Sequence, residues 1–182
     1  DPVQNVATRH PNVIFMHCSG YKQAPNVGTY FGRMYQARYL SGLIAGKMTK
    51  SNTIGYVAAY PIPEVIRGIN AFTRGVRKVN PKANVKVIWL LSWHDPAKEK
   101  EATKALVDAK SDVIAMHADT GAAPQAAEEL GVWVVGYNND MSKYAPKKHL
   151  VAPVWDWSKV YKYTLENVIK GTWKSSDIWW GL

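Results

Sequence analysis

The chain has 182 residues, 47% of them hydrophobic and 20% charged, which excludes a disordered segment and fits one good core or two small ones. No apolar run approaches the roughly 20 residues that span a bilayer, and DPVQNVATRH lacks the apolar centre of a signal peptide, so any such signal lies outside this sequence. The formal charge of +9 permits attraction to nucleic acid, but acids accompany the basic residues in segments such as KEKEATK and no nucleic-acid fold signature occurs, so it reads as a solvated basic surface. The single Cys18 excludes an internal disulfide and a cysteine-based metal cluster, and reads as a small buried thiol near a strand end.

In chain order, Asn12 to His17 reads as a buried strand, followed by a loop around Pro25. From Tyr30 to Met48 the spacing of Met34, Ala37, Ser41, Ile44 and Met48 predicts a helix, with Gly42, Ala45 and Gly46 allowing close packing. Ile54 to Tyr60 reads as a buried strand that Pro61 ends. Pro63 suits the first turn of the next helix, Glu64 suits its positive end, and Val65, Ile69, Phe72, Val76 and Val79 share one face before Asn80-Pro81 stops it. Val85 to Trp93 is apolar enough to predict a central strand. Asp95 caps a helix that starts with Pro96 and turns Ala102, Ala105, Leu106 and Ala109 inward.

The alternation then repeats: strand from Asp112 to His117, turn at Asp119 to Gly121, helix to about Leu130, strand from Val132 to Tyr137. Leu150 to Val154 is a last short strand. Tyr161, Leu165 and Val168 predict the buried stripe of a helix that Gly171 ends. Strands joined by helical crossovers imply a doubly wound α/β fold with a parallel sheet covered on both faces. The aromatic tail with Trp173, Trp179 and Trp180, and the abrupt start, suggest a fragment of a longer protein.

In such sheets ligands bind beyond the carboxyl ends of the strands. The predicted ends carry Tyr60, then Ser92-Trp93-His94-Asp95, then His117-Ala118-Asp119-Thr120, then Tyr137-Asn138-Asn139-Asp140. Rings with hydrogen-bonding neighbours suit a flat, polar-edged heterocycle: a ring stacks on its face while Asp, Asn or Thr meets its edge. Each residue also has a plain structural role open to it. Asp95 and Thr120 fit helix N-caps, Trp93 fits strand-end packing, and Tyr60 fits a plain cover over the core. His94, Asp95, His117 and Asp119 lack metal-site spacing, Ser92 lacks a nucleophile elbow, and Pro-Ile-Pro stands where a dinucleotide site needs glycines.

The blocks YFGRMYQARYLSGLIAGKMTK, IGYVAAYPIPEVIRGINAF, VIWLLSWHDPAKEKEATKAL, HADTGAAPQAAEELGV and GTWKSSDIWWGL resemble the basic membrane protein family of substrate-binding proteins from ABC importers. They run over nearly the whole chain. The family's better understood members are extracytoplasmic receptors for purine nucleosides or bases. The resemblance implies a type I periplasmic-binding-protein fold, two α/β lobes closing on ligand like a hinged clamp. Residues 1–50 would be part of lobe one, 52–139 lobe two, 141–172 the return to lobe one, and 173–182 a truncated crossover toward lobe two. The opening strands of lobe one and the C-terminal tail would be missing.

By that resemblance Trp93 stacks on the purine, and Asn138 stands at a position often acidic and associated with sugar recognition. Trp155-Asp156-Trp157 stands where nucleoside receptors carry a ribose-contacting Lys. That Lys is not evident, which favours a free base such as adenine. Gln36 replaces a common Glu, and His94 a common Phe. The expected ligand-binding set is Trp93, Tyr60, His117, Asp119, Thr120, Tyr137, Asn138, Trp155, Asp156 and Trp157.

The expected function is a solute receptor without catalysis, cofactor, metal or nucleic-acid partner. It would be monomeric, periplasmic or at the cell surface, lipid-anchored or free, and would present its ligand to a membrane permease. Two other classes stand beside it: a ligand-sensing regulator core of the same fold, which needs a helix-turn-helix, and an α/β enzyme acting on nucleosides, supported only by Asp and His at strand ends.

Overall fold

A computed structural model describes residues 1–182. Its contacts divide the chain into two compact units, residues 1–33 with 155–182, and residues 34–154. Neither contains a helix long and apolar enough to cross a membrane.

The larger unit is a five-stranded, all-parallel sheet in the order β4-β3-β5-β6-β7. Its strands are β3 (Thr53–Ala58), β4 (Asn84–Trp89), β5 (Val113–His117), β6 (Trp133–Val135) and β7 (His149–Val151). Strand β3 opens the sheet. The chain then crosses to β4 on one side and back over to β5 on the other, so the point where the order reverses lies at the ends of β3 and β5. The run from Val85 to Trp93 is therefore the sheet's outer edge and not its centre. β4 stops at Trp89, pairs with β3 alone, and leaves Trp89, Leu91 and Trp93 exposed. Lys86 in mid-strand fits an edge, where a long charged side chain reaches solvent.

One face of this sheet is covered by α2 (Met34–Met48) and α3 (Pro63–Val79). Helix α3 runs as its sequence predicts: Pro63 lies in the first turn, Glu64 is beside it, and Val65, Ile69, Phe72 and Val76 are buried against Ile54, Tyr56 and Ala58. The two helices touch backbone to backbone. A Cβ on Gly42 would stand 2.1 Å from the Phe72 carbonyl oxygen, which is why small residues line α2. On the other face lie α4 (Pro96–Asp108) and α5 (Ala122–Glu129). The inward stripe of α4 is Glu99, Ala102, Thr103 and Leu106, while Ala105 is exposed. The helix is rotated from the apolar reading because Glu99 finds a buried hydrogen-bond partner in Thr120.

The smaller unit holds α1 (Pro2–Arg9), β1 (Phe15–Cys18), β2 (Val27–Gly32), α6 (Ser158–Ile169) and β8 (Asp177–Trp180). Its three strands are parallel, in the order β1-β2-β8. The loop expected around Pro25 thus gives way to a central strand, and α2 begins at Met34 and not at Tyr30. Glycines at both positions 28 and 32 of VGTYFG hide its strand character, which pairing on both sides enforces. Helix α1 was not expected either, although Asp1 caps it and Pro2 opens it. Cys18 is half-buried, not fully enclosed.

Helix α6 also departs from expectation, since Val160 is its one buried residue. Tyr161, Leu165 and Val168 are exposed and line, with Val13, Ile14 and Met16, an apolar groove of about 480 Å³. Gly171 ends the helix at φ +66° as its position predicts, donating to the Val168 carbonyl at 3.0 Å. The unit boundaries differ from the lobes implied by resemblance, because α2 packs on α3 and residues 141–154 run with the larger sheet.

Candidate functional site

The carboxyl edge of the larger sheet is shaped by how its strands stop. Backbone pairing continues one step past β3: Ala59 N–H donates to the His117 carbonyl at 3.0 Å, and Leu90 and Leu91 donate to Ala58 and Ala59 at 2.8 and 2.9 Å. Leu91 then takes a left-handed φ of 53° and releases the chain from the sheet. Asp119 N–H closes onto the Trp93 carbonyl at 2.9 Å, tying the exit of β5 to the loop after β4. Asp95 is engaged in capping α4, accepting from Lys98 N–H at 3.1 Å.

These exits set four rings in a row. Centroid separations are 5.6 Å from Tyr60 to Trp93, 6.1 Å from Trp93 to His117 and 4.1 Å from His117 to Tyr137, all tilted. Trp93 is 37% exposed, whereas His117 and Tyr137 are buried beneath it at 2% and 5%. The row thus offers an open aromatic surface on a closed polar floor. Burial pushes the Asp119 carboxyl up from its ordinary value, with His94 pulling it down and Glu64 adding to the rise. Burial likewise lowers the His117 imidazole to about 4, opposed by its contact with Glu64 and reinforced by the charge of Arg38.

Other expected site residues are placed differently. The Thr120 hydroxyl points into the interior, donating to Glu99 Oε2 at 2.8 Å and accepting from Ala122 N–H at 3.1 Å, so it is occupied structurally. Asn138 is exposed at the exit of β6, in a left-handed conformation with φ 75°, its N–H donating to the Pro153 carbonyl at 3.0 Å. Trp155, Asp156 and Trp157 belong to the smaller unit. There the two indoles stack at 4.6 Å with Phe31 4.7 Å from Trp155, and Trp155 fills the space beside Gly32. Asp156 accepts from Ser158 N–H at 3.0 Å and so organises the start of α6.

Two charged residues beneath the ring row were not anticipated in these roles. Arg38 is fully buried, donates from Nη1 to the Met116 carbonyl at 2.9 Å, and lays its guanidinium 4.2 Å from the Tyr137 ring centroid. Its signal was present in the sequence: it lies four residues after Met34 and three before Ser41, a cation within the inward stripe of α2. Glu64, read as a helix-dipole residue, also brings Oε1 to 3.7 Å from His117 Nε2.

No group of three or more His, Cys, Asp or Glu side chains is arranged to hold a metal ion. Chemically, the arrangement can offer rings to a flat face, and carboxylates and a buried imidazole to a polar edge.

Comparison with known proteins gives a consistent result. A protein of Haloferax volcanii named as an ABC transporter glucose-binding protein is 46% identical over 182 residues, all of this chain and 46% of its own length. A purine-binding protein of Brucella abortus is also 46% identical over the whole chain, which covers 52% of it. The chain therefore spans about half the length of these relatives. Among solved structures, an ABC transporter solute-binding protein from Aeropyrum pernix superposes with a TM-score of 0.81 at 20% identity, covering 99% of this chain and 54% of that one. That likeness shows the fold, of the type I periplasmic-binding-protein kind. The family profile described as ABC transporter substrate-binding protein PnrA-like matches residues 1–182, and the chain belongs to this Bmp family.

Proposed function

We propose that this chain carries the ligand-reading edge of an extracytoplasmic receptor that takes up a purine base or nucleoside and hands it, chemically unchanged, to a membrane ABC permease. The observation that carries this reading is the row Tyr60, Trp93, His117 and Tyr137 at the sheet's switch point, with Asp119 bonded to the Trp93 backbone. A purine lies flat on an indole and offers N–H and ring-nitrogen groups in its own plane, so half-exposed Trp93 and the neighbouring carboxylates meet both. The printed name of the Brucella relative supports the same ligand class. The family's description as ABC transporter substrate-binding proteins supports a site of action for the full-length protein in the periplasm or at the cell surface.

A sugar is the second reading, favoured by the name of the Haloferax relative. A hexose also packs its C–H face on an aromatic ring and donates hydroxyls to carboxylates. Calorimetric titration of the full-length protein with adenine, guanosine and glucose separates the two. Saturable heat with a purine supports the first reading, saturable heat with glucose alone replaces it, and no heat with any of them removes both.

A further inference from the structure

The floor of the ring row contains a charge arrangement that simple packing does not explain. Arg38 is fully buried, and its Nε and Nη2 find no protein acceptor. A buried guanidinium without a carboxylate partner is costly. Next to it, neither ring nitrogen of buried His117 makes a hydrogen bond of normal length within the protein. Arg38 Nε and His117 Nδ1 nevertheless border one space without bonding to each other: each lies 3.8 Å from where a Cβ on Gly68 would stand. Glycine leaves that small space open beside α3.

We infer that Arg38, His117 and Glu64 form a directional chain that aims the Glu64 carboxylate at the ligand edge, where it selects heterocycles that present N–H donors. Direction follows from donor chemistry. A guanidinium can only donate, so the imidazole nitrogen sharing its space takes the acceptor role, and Nδ1 carries the lone pair. The imidazole proton then sits on Nε2, the atom 3.7 Å from Glu64 Oε1. Burial keeps the ring neutral near pH 7, so it holds that single proton.

Glu64 is suited to the outer end. It stands in the first turn of α3, its Oε1 toward the imidazole, and its side chain is 28% exposed while His117 is closed off. Its charge also reaches Asp119. Two carboxylates thus border the rings of a chain whose net charge is +9, a local reversal that attracts N–H donors and repels phosphate. Arg38 and His117 are positioning residues, and Glu64 is the specificity-determining one. Only the last step rests on the purine reading.

Two measurements on the full-length protein test this. Long-range proton–nitrogen NMR near neutral pH should show His117 as the Nε2–H tautomer, and Arg38→Met should abolish that preference. An Nδ1–H form or an imidazolium in the native protein overturns the chain, whatever the ligand. Calorimetry with adenine should then show Glu64→Gln binding about tenfold or more weakly, the loss of one charge-assisted hydrogen bond. Equal affinity, or adenosine monophosphate binding the native protein as tightly as adenine, overturns the role of Glu64. If the native protein binds no purine, the functional reading falls while the tautomer still decides the chain.

Discussion

Mild acid should destabilise this protein through one imidazole, and the size of the effect follows from where His117 sits. Burial lowers its pKa from 6.5 to about 4; Glu64 opposes the fall and the Arg38 charge adds to it. As pH drops below about 6.5 the unfolded chain takes up a proton that the folded chain refuses. The stability from keeping this ring neutral is therefore whole above that value and drains away as pH approaches 4. At about 1.4 kcal/mol per pH unit the full loss is on the order of 3 kcal/mol, and about 2 kcal/mol of it is gone by about pH 5. With a urea slope of about 1 to 3 kcal/mol per molar, the unfolding midpoint of the unit containing His117 should fall by about 1 M between about pH 7 and 5.

The control is His117→Gln in the same full-length protein. Asp112, Glu99 and Asp119 also titrate, but they do so in both proteins. Burial pushes Asp112 up while hydrogen bonds from Thr49, Ser51 and Lys50 more than offset it, and burial raises Glu99 and Asp119. What distinguishes the two proteins is the imidazole alone. The variant should start less stable or equal at neutral pH and lose about 2 kcal/mol less on acidification. Equal midpoint shifts in the two proteins would refute the reasoning, since they would mean that His117 is already solvated or protonated in the native state.

Three further outcomes are expected. Gly42→Ala places a Cβ 2.1 Å from the Phe72 carbonyl oxygen, so α2 and α3 must part; after a helix-propensity gain of about 1 kcal/mol the net loss should be about 2 kcal/mol by urea unfolding. Thr120→Val removes the hydrogen bond to buried Glu99 and should cost about 1 to 3 kcal/mol in stability, with ligand affinity unchanged by calorimetry. Trp93→Ala should weaken purine binding at least about tenfold, as expected for a stacking contact of roughly 1 to 3 kcal/mol, and an unchanged affinity would take Trp93 out of the site.

Much of this molecule was legible in its amino acids one segment at a time. Pro61, Pro63 and Asn80 bound α3, Asp95-Pro96 opens α4, Gly171 stops α6, and rings and carboxylates stand together at the ends of β3, β5 and β6. These are effects of backbone angle, capping and side-chain period, felt within a few residues. Lateral order was not legible in the same way. Whether VGTYFG is a loop or a central strand depends on β1 and on β8, and Thr29 of β2 pairs with Asp177 of β8, far along the chain. VKVIWLLSW is an edge because the crossover after it goes to the far side of β3.

Buried polar groups belong to the same class. Arg38 enters the interior because the Met116 carbonyl and the Tyr137 ring arrive to receive it, and Thr120 turns inward because Glu99 waits there. The chain by itself determined where its elements begin and end and which chemistry reaches the sheet edge. Tertiary structure alone decided which strands are neighbours and which charges are enclosed, because a polar group's burial is set by partners that only folding brings within reach.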